Sequence, residues 1–316
     1  MKEIDLSGVK TFRIEDSPRK VSVDLFGKPP REGMSLRDFL HSLPRILGAK
    51  DLLEVARAMV RAQREGREIL LGMGAHPIKV GLSPYLIELM RRRMISLIGT
   101  NGASMIHDVE IAMAGKTSED VGKGLQDGSF GFCEETATFI NTALRRGLQK
   151  GKGAGEALGE AIWEENLPYR ETSLFGMAYH LGIPMTVHIA IGTDVIHMHP
   201  STDGAILGES SHRDFKTFCL HVTNLSGGIY INLGSAVIMP EVFLKALSLA
   251  RNLGREVKDF ITVNMDFIPQ YRPLQNVLQR PIATGGKKSF FLRGHHEILF
   301  PLLVAAITET LTESRE

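Results

Sequence analysis

Acids, amides and imidazoles recur in short clusters along this chain: Asn101, His107 and Asp108; Glu134 and Glu135; Asp194, His197 and His199; Asp266; and His295, His296 and Glu297. Such groups act as general acids and bases, or hold a cationic substrate, when a fold gathers them into one crevice. His197-Met198-His199 places two imidazoles on one side of an extended segment, as half of a metal site would. No cysteine, HExxH or carboxylate spacing accompanies it, so it reads as a hydrogen-bonded structural pair and no metal is expected. Glu134-Glu135 follows Cys133 at a helix start, where the macrodipole favours carboxylates without catalysis. Cys133 and Cys219 are the only cysteines and form no CxxC, which argues against a disulfide framework or a zinc knuckle. They read as two small buried side chains in a reducing cytoplasm.

A second set of residues is rich in glycine: GMGAHPIKVG, GTNGAS, GTD and NLGSA, each at the end of a predicted strand. In an open parallel sheet, ligands bind outside the carboxyl ends of the strands, where helix N-termini offer unpaired N–H groups to phosphate. None of these loops is a complete GxGxxG or GxxxxGK[ST], so the motifs alone leave two readings: a dinucleotide site, or glycines that only permit tight strand-to-helix turns.

The elements that must position these residues alternate in period. From about residue 50, amphipathic segments such as Asp51 to Arg64 and Glu241 to Asn252 bracket short β-rich runs. The runs are Glu68 to Gly72, Met94 to Gly99, Met185 to Gly192, Gly228 to Gly234 and Val257 to Asn264. They are apolar on both sides of the alternation, which predicts central, parallel strands in an α/β, Rossmann-like fold with helices on both faces. Residues 1–48, with KPPREG and SLRDFLHSLPRIL, read as an N-terminal extension that packs on the core or on a neighbour, and residues 49–316 as one domain. The glycine-rich, basic stretch from Gly147 to Gly159 reads as a loop feeding a helix.

Composition narrows the function classes. The 316 residues are 43% apolar and 23% charged, ordinary for a globular protein rather than a disordered or collagenous one. Lys+Arg 37 against Asp+Glu 36 leaves a net charge of +1, with no global field to steer the chain onto nucleic acid or an anionic membrane. The charged start lacks the apolar core of a secretory signal, and the apolar run from Ile298 to Ile307 is half what a bilayer requires. These features lead us to expect a soluble, cytoplasmic protein.

Several segments taken in order resemble the deoxyhypusine synthase family over most of residues 70–306, as a divergent, bacterial-type branch. They are KVGLSPYLIELMRRRMISLIGTNGASMIHDVEIAMAG, GIPMTVHIAIGTDVIHMH, GGIYINLGSAVIMPEVF, DFITVNMDF, RP and FPLLVA. The resemblance implies NAD as cofactor, a polyamine such as spermidine as substrate, and a homotetramer with the cofactor at subunit interfaces. It also implies transfer of an aminobutyl group, by way of a lysine imine, to a protein or small-amine acceptor.

Residue by residue, the family's TTAGGVEED loop is similar to Thr100 to Asp108, with His107 where the family has a glutamate. The acid closing its TDGSLGD turn matches Asp194, its next glycine-rich segment matches Gly234, Ser235 and Ala236, and Asp266 matches an acid near the nicotinamide ribose. The resemblance therefore implies cofactor contacts at Thr100, Asn101, Gly102, Asp108, Gly234, Ser235 and Asp266 and a substrate-side, catalytic role for Asp194; Gly74, from the first glycine-rich loop, joins the expected cofactor contacts, and His107, at the glutamate's place, the expected catalytic residues. Two features depart from the family. Its histidine pair is replaced by Pro240 and Glu241, and where it has RPDEAVSWGK this chain has RPLQNVLQRP, which puts Gln275, Gln279 and Pro281 at the glutamate, tryptophan and imine-forming lysine. Lys287 and Lys288, after Gly285-Gly286, are the expected replacements on a flexible loop. Two other outcomes stay open: homospermidine-type synthesis without a lysine, or a polyamine- or NAD-binding protein that has lost the reaction. Hydrolysis by a histidine-activated water would require His107, His197 and His295 to converge.

Overall fold

The computed structural model describes residues 3–313. Residues 1–2 of the expected extension and 314–316 of the expected domain lie outside them. Six parallel strands form one sheet: β1 (Ile69–Met73), β2 (Leu97–Asn101), β3 (Met185–His188), β4 (Ile229–Leu233), β5 (Ile261–Asp266) and β6 (Lys288–Arg293). Their order is β3-β2-β1-β4-β5-β6, so the winding reverses between β1 and β4, and Gly72 pairs with Gly99 on one side and Asn232 on the other.

In chain order the helices are α1 (Leu36–Ser42), α2 (Leu47–Arg64), α3 (His76–Lys79), α4 (Ser83–Arg91), α5 (Gly102–Ala114), α6 (Val121–Asp127) and α7 (Glu134–Gln149). Then come α8 (Ala154–Glu164), α9 (Leu174–Leu181), α10 (Gly204–Thr223) and α11 (Ile238–Asn252). The last are α12 (Tyr271–Pro273), a π-helix (Leu274–Gln279), α13 (Arg280–Ala283) and α14 (His296–Glu313).

The sheet is buried on both faces, which is why its strands read as nearly continuous apolar runs. Ile69, Leu71, Ile231 and Val263 pack in one cluster with α2, α5 and α14; Leu70, Leu97 and Tyr230 pack in the other with α10 and α11. On α2 the buried residues Leu52, Val55, Ala56 and Met59 recur every three or four positions, as a helix lying on a sheet requires.

The expected α/β, Rossmann-like architecture is what the chain adopts. Five strands lie where the sequence places them, within a few residues. β6 went unpredicted, because KKSFFLR is charged at both ends and pairs on one side only, at the sheet's edge. The glycine-rich stretch from Gly147 to Gly159 is a loop only over 150–153: its start closes α7 and its end is already in α8. That helix is tied to the opposite edge by Asp214 of α10, which accepts the Gly155 and Val187 N–H groups at 2.9 and 2.7 Å.

Among the described residues before α1, regular structure is limited to single turns at Ile14–Asp16 and Val23–Leu25. Arg37 of α1 pairs with Glu309 of α14 at 3.3 Å. No described helix is long and apolar enough to cross a membrane.

Candidate active site

All six strands end on one rim, and the loops there carry most of the chemistry. Between β1 and β4, where the winding reverses, the backbone turns touch: a Cβ on Gly74 would lie 2.9 Å from the Gly234 carbonyl oxygen. Gly234 itself has φ +66°, a conformation that favours glycine, and a Cβ there would meet His296 Cε1 at 2.6 Å. His296 is anchored to the Met265 carbonyl at 3.1 Å, and His76, just past β1, stands edge-on to it at 5.2 Å. Burial and the neighbouring His296 hold His76 below the usual imidazole pKa.

Ser235 is buried, and its hydroxyl accepts the Met239 N–H at 3.1 Å to start α11. Asp266, at the end of β5, accepts the Phe267 N–H at 2.8 Å. Gly74, Gly234, Ser235 and Asp266 thus share the rim, as expected for a ligand crevice at a switch point.

Beside this crevice, at the ends of β2 and β3, lies a cavity of about 190 Å³ whose lining includes Lys79, Ala103, His107, Glu119, Thr193 and Asp194. Asp194 is buried, and its Oδ2 has no hydrogen-bond partner among the described residues. Gly102 makes room for it, since a Cβ at the start of α5 would overlap Oδ2. Burial pushes the Asp194 carboxyl up to about 6, although the Thr193 hydroxyl lowers it.

His197 completes the corner. Its Nδ1 accepts the N–H groups of Gly192 and Asp194 at 3.0 and 3.3 Å, so the ring proton sits on Nε2. That nitrogen is 3.8 Å from Asp194 Oδ2 and also lacks a partner. Burial lowers the pKa of His197. His107 reaches the same cavity from α5, with Nδ1 2.7 Å from Thr117 Oγ1, and burial together with the Lys79 charge pushes it down to about 4. The cavity is therefore lined by a carboxylate with one buried, unpartnered oxygen and by a neutral imidazole. That combination can hold an amine and accept its proton.

Other expected residues stand elsewhere. Asp108 is fully buried and faces away from the cavity: its carboxylate accepts the Ser173 hydroxyl and the Leu174 and Phe175 N–H groups, capping α9. Burial pushes it up to about 6, but no oxygen is left for a cofactor. Thr100 is likewise fully buried, its hydroxyl bonded to the Met73 carbonyl at 3.1 Å, so it clips β2 to β1. Asn101 is partly exposed and accepts from Ser104 at 3.1 Å.

Lys287 and Lys288 are not on a loop at the rim. Lys288 opens β6 opposite Ile261, the first residue of β5, while Arg293 at the far end reaches the rim. Six residues of strand put the lysines about 17 Å away, at the amino edge of the sheet. Pro281 is buried in α13. His295 stacks on Phe267 at 4.6 Å, beside β5 and β6, so it does not converge with His107 and His197 beside β2 and β3. His199 bonds Ser201 and Glu134 at 2.8 and 3.0 Å and faces away from His197, as a structural residue does. No group of three or more possible metal ligands occurs among the described residues. Cys133, expected to be buried, is exposed at the start of α7, whereas Cys219 is buried.

The sequence reading overlooked Lys79 and His76 as side chains, although both stand in the quoted GMGAHPIKVG loop. It also overlooked Glu110, whose signal was its place three residues after His107 on one helix.

No family model matches the chain, and no curated protein matches it in sequence. Solved structures do match. A candidate deoxyhypusine synthase from Entamoeba histolytica superposes with a TM-score of 0.54 at 13% identity, covering 89% of this chain and 95% of that one. The fold is deoxyhypusine synthase-like. A conserved candidate LOR/SDH protein from Methanococcus maripaludis gives 0.53 at 17% identity, over 84% of this chain and 70% of that one. AgrE, in a ternary complex with ornithine and NAD+, gives 0.54 at 13% identity over 85% of this chain, which spans only 34% of AgrE. The deoxyhypusine synthase-like sheet is common to enzymes with different substrates, so the likeness fixes architecture while the rim must supply the chemistry.

Proposed function

We propose that this chain is an NAD-dependent enzyme acting on a polyamine such as spermidine, moving an aminobutyl or similar alkylamine group to an amine acceptor. The observation that carries this reading is the cavity beside the switch-point crevice, where Asp194 keeps an unpartnered oxygen next to the neutral His107. Asp194 would take the substrate ammonium by a charge-assisted hydrogen bond.

The crevice suits a dinucleotide in two respects. Glycine at 74 and 234 lets the two strand-end turns at the switch point close on each other and on His296, and no side chain caps the first turn of α5 at Gly102. NAD, when bound there, would accept a hydride from the carbon next to the amine nitrogen. AgrE, of similar fold, binds NAD+.

Because Lys287 and Lys288 lie at the opposite edge and Pro281 occupies the family's lysine position, we drop the imine on either lysine. Direct attack of a free amine on the oxidised substrate, giving a homospermidine-type product, needs no such residue. A protein that binds NAD or polyamine without turnover is the second reading, favoured by the same Pro281. Incubating the purified chain with NAD and labelled spermidine decides between them: NADH and a new labelled amine are expected, and saturable binding of both ligands without NADH would leave the binder.

The segment before about residue 48 is, in this reading, an extension that packs on a neighbouring copy in a homotetramer. Ile4, Leu6, Phe12, Ile14 and Val23 are each more than two-thirds exposed there, which supports a contact that buries them. Native mass spectrometry would show the subunit number and any retained dinucleotide together.

A further inference from the structure

His107 does not stand alone at the cavity wall. Its Nδ1 lies 2.7 Å from Thr117 Oγ1, and the same hydroxyl donates to Glu110 Oε2 in a short hydrogen bond. Glu110 is one turn along α5 from His107, and Thr117 sits in the loop that follows the helix. Glu110 Oε2 also accepts the Ser118 N–H at 3.4 Å, which holds that loop against the helix.

The directions of these bonds are fixed by counting protons. A hydroxyl has one proton, and a carboxylate can only accept. With the Thr117 proton committed to Glu110, its oxygen can only accept from His107, so Nδ1 must carry the ring hydrogen. Nε2 is then a bare lone pair, and it makes no hydrogen bond among the described residues. His197, beside Asp194, has the opposite tautomer because backbone N–H groups occupy its Nδ1. The imidazole on the cavity wall is thus set to accept a proton, while the one buried behind Asp194 is set to donate.

We infer that Thr117 and Glu110 are positioning residues that lock His107 in its Nδ1–H tautomer, so that Nε2 serves as the base for the amine substrate. This rests on the proposed amine chemistry for its purpose, though not for its geometry. The step balances as follows. Nε2 takes one proton from the substrate ammonium, leaving a neutral amine. NAD+, if bound in the crevice, would supply the oxidant: the adjacent C–H bond would break with its hydride leaving to NAD+, giving an iminium and NADH. The positive charge left on His107 is met through the Nδ1–H, Thr117 and Glu110 chain, and the proton leaves later to solvent.

The charged groups facing His107 are Lys79 from α3, Glu110 on its own helix, Glu119 from the loop before α6, and Asp194 after β3. Lys79 opposes a second positive charge there, whereas the three carboxylates favour it.

Two-bond 15N–1H correlation spectra of histidine-labelled protein, free of ligand, report each ring's tautomer without any assay. At neutral pH the His107 Nδ1 should show the protonated signature and Nε2 the unprotonated one. Thr117→Val, close in shape but without the hydroxyl, should lose this preference, and Thr117→Ser should keep it. An Nε2–H or doubly protonated His107 in the unaltered protein overturns the inference, as does an unchanged tautomer in Thr117→Val.

Glu110→Gln supplies a second variant. Its amide can donate to Thr117 and free the hydroxyl proton, so it should shift the tautomer too, and an unchanged spectrum there counts against the relay. In kinetics, Thr117→Val should lower kcat for NADH formation about 10–100-fold with KM nearly constant, the usual scale for a misplaced base. Thr117→Ser should restore it. If the unaltered protein oxidises no amine at any pH, the proposed function fails, while the spectra still decide whether the relay exists.

Discussion

Asp214 and Asp194 are both buried carboxylates reached from the β3 edge of the sheet, and burial raises both, to about 7 and about 6. By depth and pKa direction they are indistinguishable, and Asp108, raised to about 6, makes a third. Their surroundings separate them. Asp214 and Asp108 are surrounded by backbone N–H groups that open α8 and α9, whereas Asp194 lines a cavity and its Oδ2, buried against Gly102, has no partner. A perturbed acid marks a functional site only when its hydrogen-bonding capacity is left unused. The two capping acids are framework, and the third keeps an unused acceptor beside the cavity.

The comparison is broken most easily at the capping acids. Asp108→Ala would strand the Leu174 and Phe175 N–H groups and the Ser173 hydroxyl inside the protein, and we expect a loss of about 3 kcal/mol, or roughly 6 °C in Tm. Asp214→Ala should cost a similar amount. Thermal unfolding measures both, and a change under about 1 kcal/mol in either would mean that the caps are not structural.

Gly102→Ala tests the other side. Its Cβ would overlap Asp194 Oδ2, so we expect about 2 kcal/mol of destabilisation. The double variant with Asp194→Ala should recover most of it, because the overlap goes with the carboxylate. Additive losses in such a cycle would place the strain elsewhere.

The sharpest contrast is in sign. Asp194→Asn should stabilise the protein by about 1–2 kcal/mol near pH 8 while abolishing amine binding, because an unpartnered buried charge is exchanged for a neutral amide. The native pKa, about 6, lies above the ordinary carboxylate value of 3.8. The folded state therefore holds the proton more tightly, and the stability this group contributes is complete below the lower value and declines as pH rises toward the upper one. The advantage of the asparagine should accordingly be absent near pH 4, open between about 4 and 6, and stay constant above. Guanidinium titrations across that range would show it, and an asparagine variant less stable at pH 8 would mean that Oδ2 has a partner after all.

How much of this was legible in the sequence follows the same division. Apolar runs on both strand faces are a local signal, and they identified five strands and the α/β class. The rim loops were found for a similar reason, because Gly74, Gly234 and Asp266 each end a recognisable strand. What could not be read was satisfaction. Asp108 and Asp194 both read as site acids in a chain, one toward the cofactor and one toward the substrate, and only the approach of Ser173 and Leu174, some 65 and 66 residues away, uses up the first. Thr117 carried no signal either, because its role depends on a loop turning back onto α5.

Lys288 gives the smallest effect and tests the two rims directly. Its ammonium is 2.5 Å from Glu54 of α2, and about half of the lysine side chain is exposed. Pairs of this kind are screened by solvent and contribute little, so Lys288→Ala should change stability by less than about 0.5 kcal/mol. If the chemistry lies at the carboxyl rim, NADH formation from spermidine should also be unchanged, since a strand's length separates this lysine from Asp266 and Arg293. A large loss of turnover with stability intact would have one structural explanation: the amino edge of one copy contributes to the crevice of another. Mixing Lys288→Ala with Asp194→Asn subunits would then restore activity to hybrid assemblies, which a purely intrachain site does not allow.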